Sequence, residues 1–130
     1  MAKTARAAIK SQKTAIDLLT EAVIRGLQDR KAKDIKLMDL RGISSAVSDF
    51  FIVCHGESST QVEGLARNVE QEVEKETGEI PAHIEGTKNA QWVLIDYISV
   101  VVHIFQPEQR SYYGIERLWA DAEIRDIDSN

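Results

Sequence analysis

Residues 92–105 read WVLIDYISVVVHIF and contain two β-rich runs separated by a very short interval. The runs Trp92–Asp96 and Val100–Phe105 consist mainly of β-branched and aromatic residues, which favour extended strands. Only residues 97–99 lie between them, and two such runs joined so closely predict an antiparallel hairpin. The fold is therefore expected to contain a β-sheet that includes this hairpin.

Three further segments are predicted to be strands. Residues 49–54 (DFFIVC) form a continuous apolar run, which is typical of a strand covered on both faces. Residues 35–40 (IKLMDL) alternate in polarity, and residues 80–84 contain Pro81, which favours the edge of a sheet. The strands over residues 49–54 and 80–84 lie on either side of a predicted helix and could run parallel. Because the hairpin is antiparallel, a mixed sheet is expected.

Three segments carry apolar residues at the spacing of one helix face, namely 14–33, 60–77 and 110–122. Thr14 is a suitable N-cap for the first, and Gly78 lies where the C-cap of the second is expected. The predicted order of elements is α–β–β–α–β–β–β–α. This pattern indicates the α/β class, with a mixed β-sheet and flanking helices.

The length of 130 residues suits a single domain, which we assign to residues 14–122. Residues 1–13 contain four basic side chains and no acidic one, and they are expected to form a flexible basic N-terminal segment. Residues 123–130 are expected to be a polar C-terminal tail.

Charge and composition narrow the function classes. Beyond residue 13 the chain has 12 basic against 21 acidic side chains, which does not suit a surface that neutralises phosphates. We therefore expect no direct sequence-specific contact with nucleic acid, and either a basic protein partner or simply good solubility. Cys54 is the only cysteine and no apolar run approaches the ~18 residues of a membrane span, so a cytoplasmic protein without membrane association is expected.

Catalytic and metal-binding motifs are missing from the sequence. It has no phosphate-binding glycine loop and no nucleophile elbow, and its three histidines show no zinc-ligand spacing, so no cofactor and no metal are expected. Cys54 and His55 are neighbours on a strand and point to opposite faces, which prevents the pairing that activates a thiol. Cys54 is therefore interpreted as a core residue, and the protein as not an enzyme.

One enzymatic alternative remains open. Asp39, Asp49 and Asp96 lie at the ends of predicted strands, where two-metal sites can be built. No Asp-x-Asp spacing accompanies them. Asp96 at the hairpin turn is more often a cap of the turn backbone.

Six of the eight aromatic residues lie within one 28-residue stretch. Trp and Tyr dominate the energetics of protein interfaces because they give wide contact area with few rotatable bonds. Either some of these aromatic residues form a binding surface, or together they form an aromatic layer of the core. Its members are Trp92, Tyr97, Phe105, Tyr112, Tyr113 and Trp119.

A set of short blocks in this order resembles the ribosomal silencing factor family, also called RsfS, YbeB or Iojap. The resemblance covers residues 14–122, and one departure is Ile98, where members of the family often have glycine in the hairpin turn. The blocks are SDFFIVC (48–54), EG (85–86), WVLIDY (92–97), VVHIF (101–105), RSYY (110–113) and ERLW (116–119).

The resemblance implies a fold similar to nucleotidyltransferases without their catalytic carboxylates. It also implies a homodimer that binds the large ribosomal subunit through its protein fourteen and sterically blocks association of the two subunits. Translation would then be repressed when nutrients are limited. The alternatives are a large-subunit assembly factor, as organellar relatives are, and a nucleotidyltransferase-like enzyme.

For such a protein the partner-binding residues are expected among the aromatic and charged side chains of the C-terminal blocks. Phe105 and Trp119 are instead expected to be core or dimer contacts. The predicted binding-surface residues are Trp92, Asp96, His103, Arg110, Tyr112 and Glu116.

Overall fold

The computed structural model describes residues 13–128, which form six strands and four helices. The helices are α1 (Ala15–Asp29), α2 (Ser59–Thr77), α3 (Pro107–Tyr113) and α4 (Ile115–Leu118). The strands are β1 (Lys33–Asp39), β2 (Phe50–His55), β3 (His83–Glu85), β4 (Trp92–Asp96), β5 (Val100–Phe105) and β6 (Glu123–Ile127).

All six strands belong to one sheet, in the order β3-β4-β5-β2-β1-β6. The predicted hairpin is confirmed, since β4 pairs antiparallel with β5 and Trp92 lies opposite Phe105. Strands β2 and β5 pair in parallel at the centre, and Phe51 lies beside Val101. The other pairings are antiparallel, so the prediction of a mixed α/β sheet is confirmed.

Helices α1 and α2 cover one face of the sheet and enclose the larger core. The central strands contribute residues that alternate toward these helices, and Ile52, Cys54 and Val102 are all fully buried there. The two helices approach closely at Gly26, where a Cβ atom would lie 3.0 Å from the Cα of Val69. This close approach favours glycine and lets the two helices share one apolar layer. The core position predicted for Cys54 is confirmed.

The opposite face of the sheet has a smaller core and a thinner cover. Met38, Val53 and Phe105 are fully buried beneath Ile115 and the segment that follows it. The loop between β1 and β2 adds half-buried contacts, but no long helix of residues 13–128 packs on this side. This thinner cover leaves part of the second face open to solvent, and the candidate site lies there.

The helix ends follow the expected local chemistry. Thr14 caps α1 by accepting from the Asp17 N–H at 3.1 Å, and the Asp17 carboxylate accepts from the Thr14 N–H at 3.2 Å. This reciprocal pair satisfies two main-chain donors that α1 itself cannot. Gly78 ends α2 in the left-handed region at φ 77°, as predicted. Helix α2 begins one residue earlier than predicted, with Ser58 as its N-cap.

The C-terminal region differs from the prediction of one helix over 110–122 and a polar tail over 123–130. Gly114 adopts φ 56°, which separates the short helices α3 and α4. Residues Glu123–Ile127 then form β6, which pairs antiparallel with β1. Four of its five side chains are exposed, so its polar composition suits an edge strand as well as a tail.

Two further expectations concern the ends of the chain and the membrane. Residues 1–12 of the predicted flexible segment lie outside the described residues, while Lys13 forms an exposed ion pair with Glu21 at 2.9 Å. Within residues 13–128, no helix is long and apolar enough to cross a membrane.

The hairpin turn between β4 and β5 has an unusual backbone. Ile98 adopts φ 74°, and the Ser99 N–H donates to the Tyr97 carbonyl at 2.9 Å, which is the strained form of a γ-turn. The Asp96 carboxylate accepts from the Ile98 N–H at 2.7 Å, which confirms the predicted capping role of Asp96. The Ile98 side chain is 68% exposed and adds little to the core.

We therefore expect Ile98→Gly to stabilise the protein. Glycine adopts a positive φ freely, so the change should raise the free energy of unfolding by about 1 kcal/mol after the entropic cost of glycine. Urea denaturation measures the difference. Gly86→Ala is the opposite control, because Gly86 has φ 86° and a Cβ atom there would lie 1.9 Å from the Trp92 carbonyl oxygen. A destabilised Ile98→Gly protein would contradict the strain inferred at this turn.

Candidate partner-binding face

The open part of the second sheet face carries a group of aromatic rings in mutual contact. Strands β2, β4 and β5 supply Phe51, Trp92 and His103, and the α3–α4 region supplies Tyr113 and Trp119. The Trp92 and Tyr113 ring centroids are 4.7 Å apart, and those of Phe51 and Trp119 are 5.8 Å apart. We call these five residues the aromatic face.

His103 lies beneath the centre of this face. Its Nδ1 accepts a hydrogen bond from the Trp92 indole at 3.1 Å, and the Phe51 ring centroid lies 4.6 Å from its own. Burial lowers the pKa of His103 to about 4. The ring is therefore neutral near pH 7, with its remaining proton on Nε2, which has no hydrogen-bond partner among the described residues. The expectation that the hairpin displays His103 is wrong, since this residue is 3% exposed.

Arg110 on α3 holds the short helices against the end of the sheet. Its Nε and Nη2 donate to the two carboxylate oxygens of Glu116 at 3.2 and 2.8 Å. Its Nη1 contacts His55 Nδ1 at 2.9 Å and the Lys33 carbonyl at 3.5 Å, and Asp34 lies within 3.6 Å of Nη2. One guanidinium thus joins α4, β1 and β2 to the helix that carries the tyrosines.

This arrangement requires a neutral imidazole at His55. Because Arg110 has only donors, His55 Nδ1 must be the acceptor of their contact. Burial, followed by the positive charge of Arg110, lowers the pKa of His55 accordingly. Arg110 is 8% exposed and Glu116 is half-buried, so the bidentate pair holds parts of the fold together and is not an open surface. We call Arg110, Glu116 and His55 the Arg110 joint.

The exposed apolar groups of this region lie on α3 and α4. Tyr112 is 81% exposed, Tyr113 is 47% exposed and Leu118 is 75% exposed. The Tyr112 and Tyr113 rings meet edge to face at 5.1 Å. Tyr113 is thus the exposed member of the aromatic face, and Tyr112 and Leu118 extend the apolar surface beyond it.

The six predicted binding-surface residues separate into three groups. Trp92, His103 and Tyr112 lie on or beside the aromatic face, while Arg110 and Glu116 form the buried joint. Asp96 lies at the other end of β4, four residues from Trp92, or about 13 Å along the strand. Their roles in partner binding stay predictions. Of the other aromatic residues in the stretch, Tyr97 and Phe105 are buried, as Phe105 was predicted to be.

Several residues at the site are not among those predicted from the sequence. Phe51 reaches the aromatic face only because β2 pairs with β5, and no local pattern indicates that pairing. The sequence shows His55 only as the neighbour of Cys54, whereas its contact with Arg110 joins residues 55 positions apart. Leu94 borders the site, because it lies opposite His103 and on the same side of β4 as Trp92, and the alternation along β4 is visible in the sequence.

The alternative of an enzyme with a two-metal site requires carboxylates that lie close together. Asp39 accepts two hydrogen bonds from the Arg41 guanidinium, at 2.8 and 3.0 Å, which holds the pKa of its carboxyl below the usual range. Asp96 lies on β4, three strand spacings or about 14 Å from β1. Within residues 13–128, no three His, Cys, Asp or Glu side chains are grouped so that they could hold a metal ion.

The fold and this face define a small α/β protein whose sheet is covered by two long helices on one side and carries a partly open aromatic surface on the other. A family model described as "Ribosomal silencing factor during starvation" matches residues 12–130. The chain belongs to this family.

Individual relatives agree with the family match. The chain is 44% identical over 100 residues to the ribosomal silencing factor RsfS of Bacillus subtilis, covering 77% of this chain and 83% of that protein. It is 29% identical over 101 residues to the chloroplastic protein Iojap of Zea mays, covering 78% of this chain and 43% of that one. A crystal structure of a Chromobacterium violaceum protein, 38% identical, superposes with a TM-score of 0.73 and covers 78% of this chain and 83% of that one.

The burial of His103 predicts a pH-dependent stability. Since its pKa falls from 6.5 when unfolded to about 4 when folded, the unfolded chain binds more protons between these values. The free energy of unfolding should fall by about 3 kcal/mol as the pH drops from about 7.5 to about 4, with a smaller loss from His55 in the same direction. Urea denaturation across this range measures it.

His103→Gln keeps an acceptor for Trp92 but cannot titrate, so this variant should lose less stability on acidification than the unsubstituted protein. His83→Gln, on the exposed strand β3, is the matched control and should behave like the unsubstituted protein. Equal pH slopes in all three proteins would refute the role given to His103.

The joint at Arg110 predicts a second stability effect. Arg110→Lys removes the bidentate bond to Glu116 and the contact with His55. It should cost about 2–3 kcal/mol, because the half-buried Glu116 carboxylate and a buried cationic side chain lose their charged hydrogen bonds. Hydrogen exchange of residues 107–118 should rise as well. Arg25→Lys is the control, since its ion pair with Glu76 is partly exposed and should contribute less than about 1 kcal/mol. Equal losses of stability in the two variants would show that Arg110 contributes no more to the fold than a partly exposed ion pair does.

Proposed function

We propose that this protein binds the large ribosomal subunit in the cytoplasm and represses translation. The proposed contact is protein fourteen of that subunit, and the proposed effect is steric, because a bound copy would occupy the surface on which the small subunit docks. The names of the bacterial relatives, ribosomal silencing factor RsfS, support this function. A steric mechanism needs a binding surface and no active site.

The aromatic face and its exposed tyrosines carry the proposal. A folded monomer rarely leaves a group of large aromatic side chains half-open, and such patches mark interaction sites. Tyr112 and Tyr113 contribute flat apolar surface with a polar hydroxyl, which is the composition of interface hot spots. An acidic chain also suits a basic partner, as ribosomal proteins typically are.

The protein is further proposed to form a homodimer, for which the open second face of the sheet is one candidate surface. Leu118, at 75% exposure, lies on α4 beside Trp119 and would add apolar area to such a contact. Sedimentation equilibrium over a dilution series measures the dimer. If only the dimer exists and no subunit binds, the aromatic residues serve assembly of the dimer alone.

The decisive experiment is co-sedimentation with salt-washed large subunits, together with a subunit-joining assay. Tyr112→Ala should weaken binding about 30-fold, the effect of losing an interface hot spot worth about 2 kcal/mol, and should restore joining. Because Tyr112 is mostly exposed, its removal should leave the fold intact. Trp92→Phe, which loses the indole N–H but keeps a ring, should weaken binding less.

Ile80→Ala is the matched control, since Ile80 is an apolar side chain that is 70% exposed. It lies just before β3, where the Ala82 N–H donates to the Asp96 carbonyl, at the end of β4 opposite Trp92. This variant should bind as tightly as the unsubstituted protein. Equal loss in Tyr112→Ala and Ile80→Ala would remove the aromatic face from the proposal. An unsubstituted protein that ignores large subunits would overturn the proposal as a whole.

A further inference from the structure

Three segments of the chain meet at the end of the sheet that lies farthest from Trp92 along β4. The turn between β4 and β5 contacts the loop before β2, because the Asp49 N–H donates to the Ser99 carbonyl at 2.9 Å. The segment before β3 reaches the same end, since the Ala82 N–H donates to the Asp96 carbonyl at 2.8 Å. We call residues 46–49, 79–82 and 96–99 together the hairpin end.

Each of these segments exposes one branched aliphatic side chain. Val47 is 98% exposed, Ile80 is 70% exposed and Ile98 is 68% exposed. Their segments adjoin β2, β3 and the β4–β5 turn, so the three side chains are spread over three strand spacings, or about 14 Å. Single exposed apolar residues are common on protein surfaces, whereas a group of them in one place marks an interaction site.

The backbone at Ile98 shows that this exposure carries a cost. A β-branched residue is strained at φ 74°, a conformation that glycine adopts freely. Because the Ile98 side chain adds little to the core, burial within the chain does not offset the strain. Strained residues of this kind are concentrated at functional sites. A partner that covers Ile98 would supply the burial that the chain itself does not.

Hydrogen bonds hold the backbone that carries Ile98 in one conformation. The Asp96 carboxylate accepts from the Ile98 N–H at 2.7 Å, and the Tyr97 N–H donates to the Val100 carbonyl at 2.9 Å. A group that is fixed before binding loses less entropy on binding than a mobile one. The hairpin end therefore presents a preformed apolar surface.

The charged side chains within the hairpin end are all negative. Its three segments contain Asp49, Glu79 and Asp96 and no lysine, arginine or histidine. Negative charge extends to the neighbouring helix α2, because burial, followed by the charges of Glu70 and two further carboxylates, raises the pKa of the Tyr97 hydroxyl. A partner for this surface therefore needs positive charge beside apolar side chains.

The same charges disfavour other occupants. A second copy of the chain would bring the same three carboxylates against the first set, and like charges in contact are unfavourable. A nucleic acid backbone and an anionic lipid surface are negative as well. A basic protein segment is thus the occupant that the charges favour. In an amphipathic helix, about nine or ten residues carry an apolar stripe long enough to contact all three aliphatic side chains.

We propose that the hairpin end binds a basic amphipathic helix of a second protein partner. The apolar stripe of the helix packs on Val47, Ile80 and Ile98, and its lysine or arginine side chains lie against Asp49 and Glu79. This inference goes beyond the proposed function. The length of β4 separates the hairpin end from the aromatic face, so both surfaces can be occupied at once.

The test uses a synthetic helical peptide of leucine and lysine, about 18 residues long so that the helix is stable. A reference peptide has glutamate in place of lysine and the same apolar stripe. Binding is followed by NMR of protein with ¹³C-labelled methyl groups on isoleucine and valine. The lysine peptide should shift the methyl signals of Val47, Ile80 and Ile98, and the glutamate peptide should not. Equal shifts from the two peptides would overturn the proposal, because charge would then play no part.

Val47→Gln should weaken binding of the lysine peptide about fivefold, because it removes one apolar contact from the surface. Val47 is almost fully exposed, so the change should leave the fold intact. Tyr112→Ala is the matched control, since it also removes an exposed apolar side chain, but on α3. This control should bind the lysine peptide like the unsubstituted protein, and an equal loss in both variants would refute the site.

The charge contact has its own pair of variants. Glu79→Lys should weaken binding of the lysine peptide about tenfold, because it places a positive charge where the peptide needs a negative one. Glu63→Lys makes the same change near the beginning of α2, whereas Glu79 follows the end of that helix. Equal weakening in the two variants would reduce the effect to net charge and overturn the local contact.

The remaining outcomes separate this inference from the proposed function. Val47→Gln should bind large subunits like the unsubstituted protein, so failure of subunit binding alone leaves the hairpin end standing. If the lysine peptide shifts the Trp92 indole signal in place of the three methyl signals, it binds at the aromatic face and the inference is overturned. Methyl shifts that follow protein concentration alone, or that require phosphatidylglycerol vesicles, would identify a second copy or a lipid surface and overturn it too.

Discussion

The parallel pairing of β2 with β5 is the contact on which the other parts of the molecule depend. It joins the C-terminal hairpin to the strands of the N-terminal half, and both strands are almost completely buried. Because alternate residues point to opposite faces, the same two strands supply Ile52 and Val102 to the helix-covered core and Phe51 and His103 to the aromatic face. The register between β2 and β5 therefore determines which of their residues lie in the helix-covered core and which lie on the aromatic face.

That register also explains how a polar ring comes to lie inside an apolar layer. His103 stands between Leu94 of β4 and Val53 of β2, and its side chain is buried. The indole of Trp92 donates to it and satisfies one of its nitrogens, which offsets part of the desolvation cost. The bond also fixes the orientation of Trp92. A rigid aromatic side chain at a surface loses less entropy when it binds than a mobile one.

The sequence predicts the local features of this protein and misses those that depend on tertiary contacts. Thr14, Gly78 and the tight hairpin are recognisable because capping and turn chemistry act over a few residues. The strand β6 escaped prediction because its exposed polar residues pair through the main chain, which leaves no hydrophobic pattern. Residue type alone suggests that His103 and Arg110 are exposed, whereas both are buried against partners from other parts of the chain.

The two buried polar groups have different consequences for a binding surface. The His103–Trp92 bond lies within the sheet and holds one side chain, while Arg110 joins three separate elements to α3 and so positions a whole segment. Buried ion pairs add little net stability compared with apolar packing, but they specify one arrangement, since a displaced guanidinium leaves a carboxylate unpaired. We infer that Arg110 is valuable for position rather than for stability. A partner that meets Tyr112 and Trp92 together then finds them at a fixed spacing, and the cost of ordering α3 has already been met during folding.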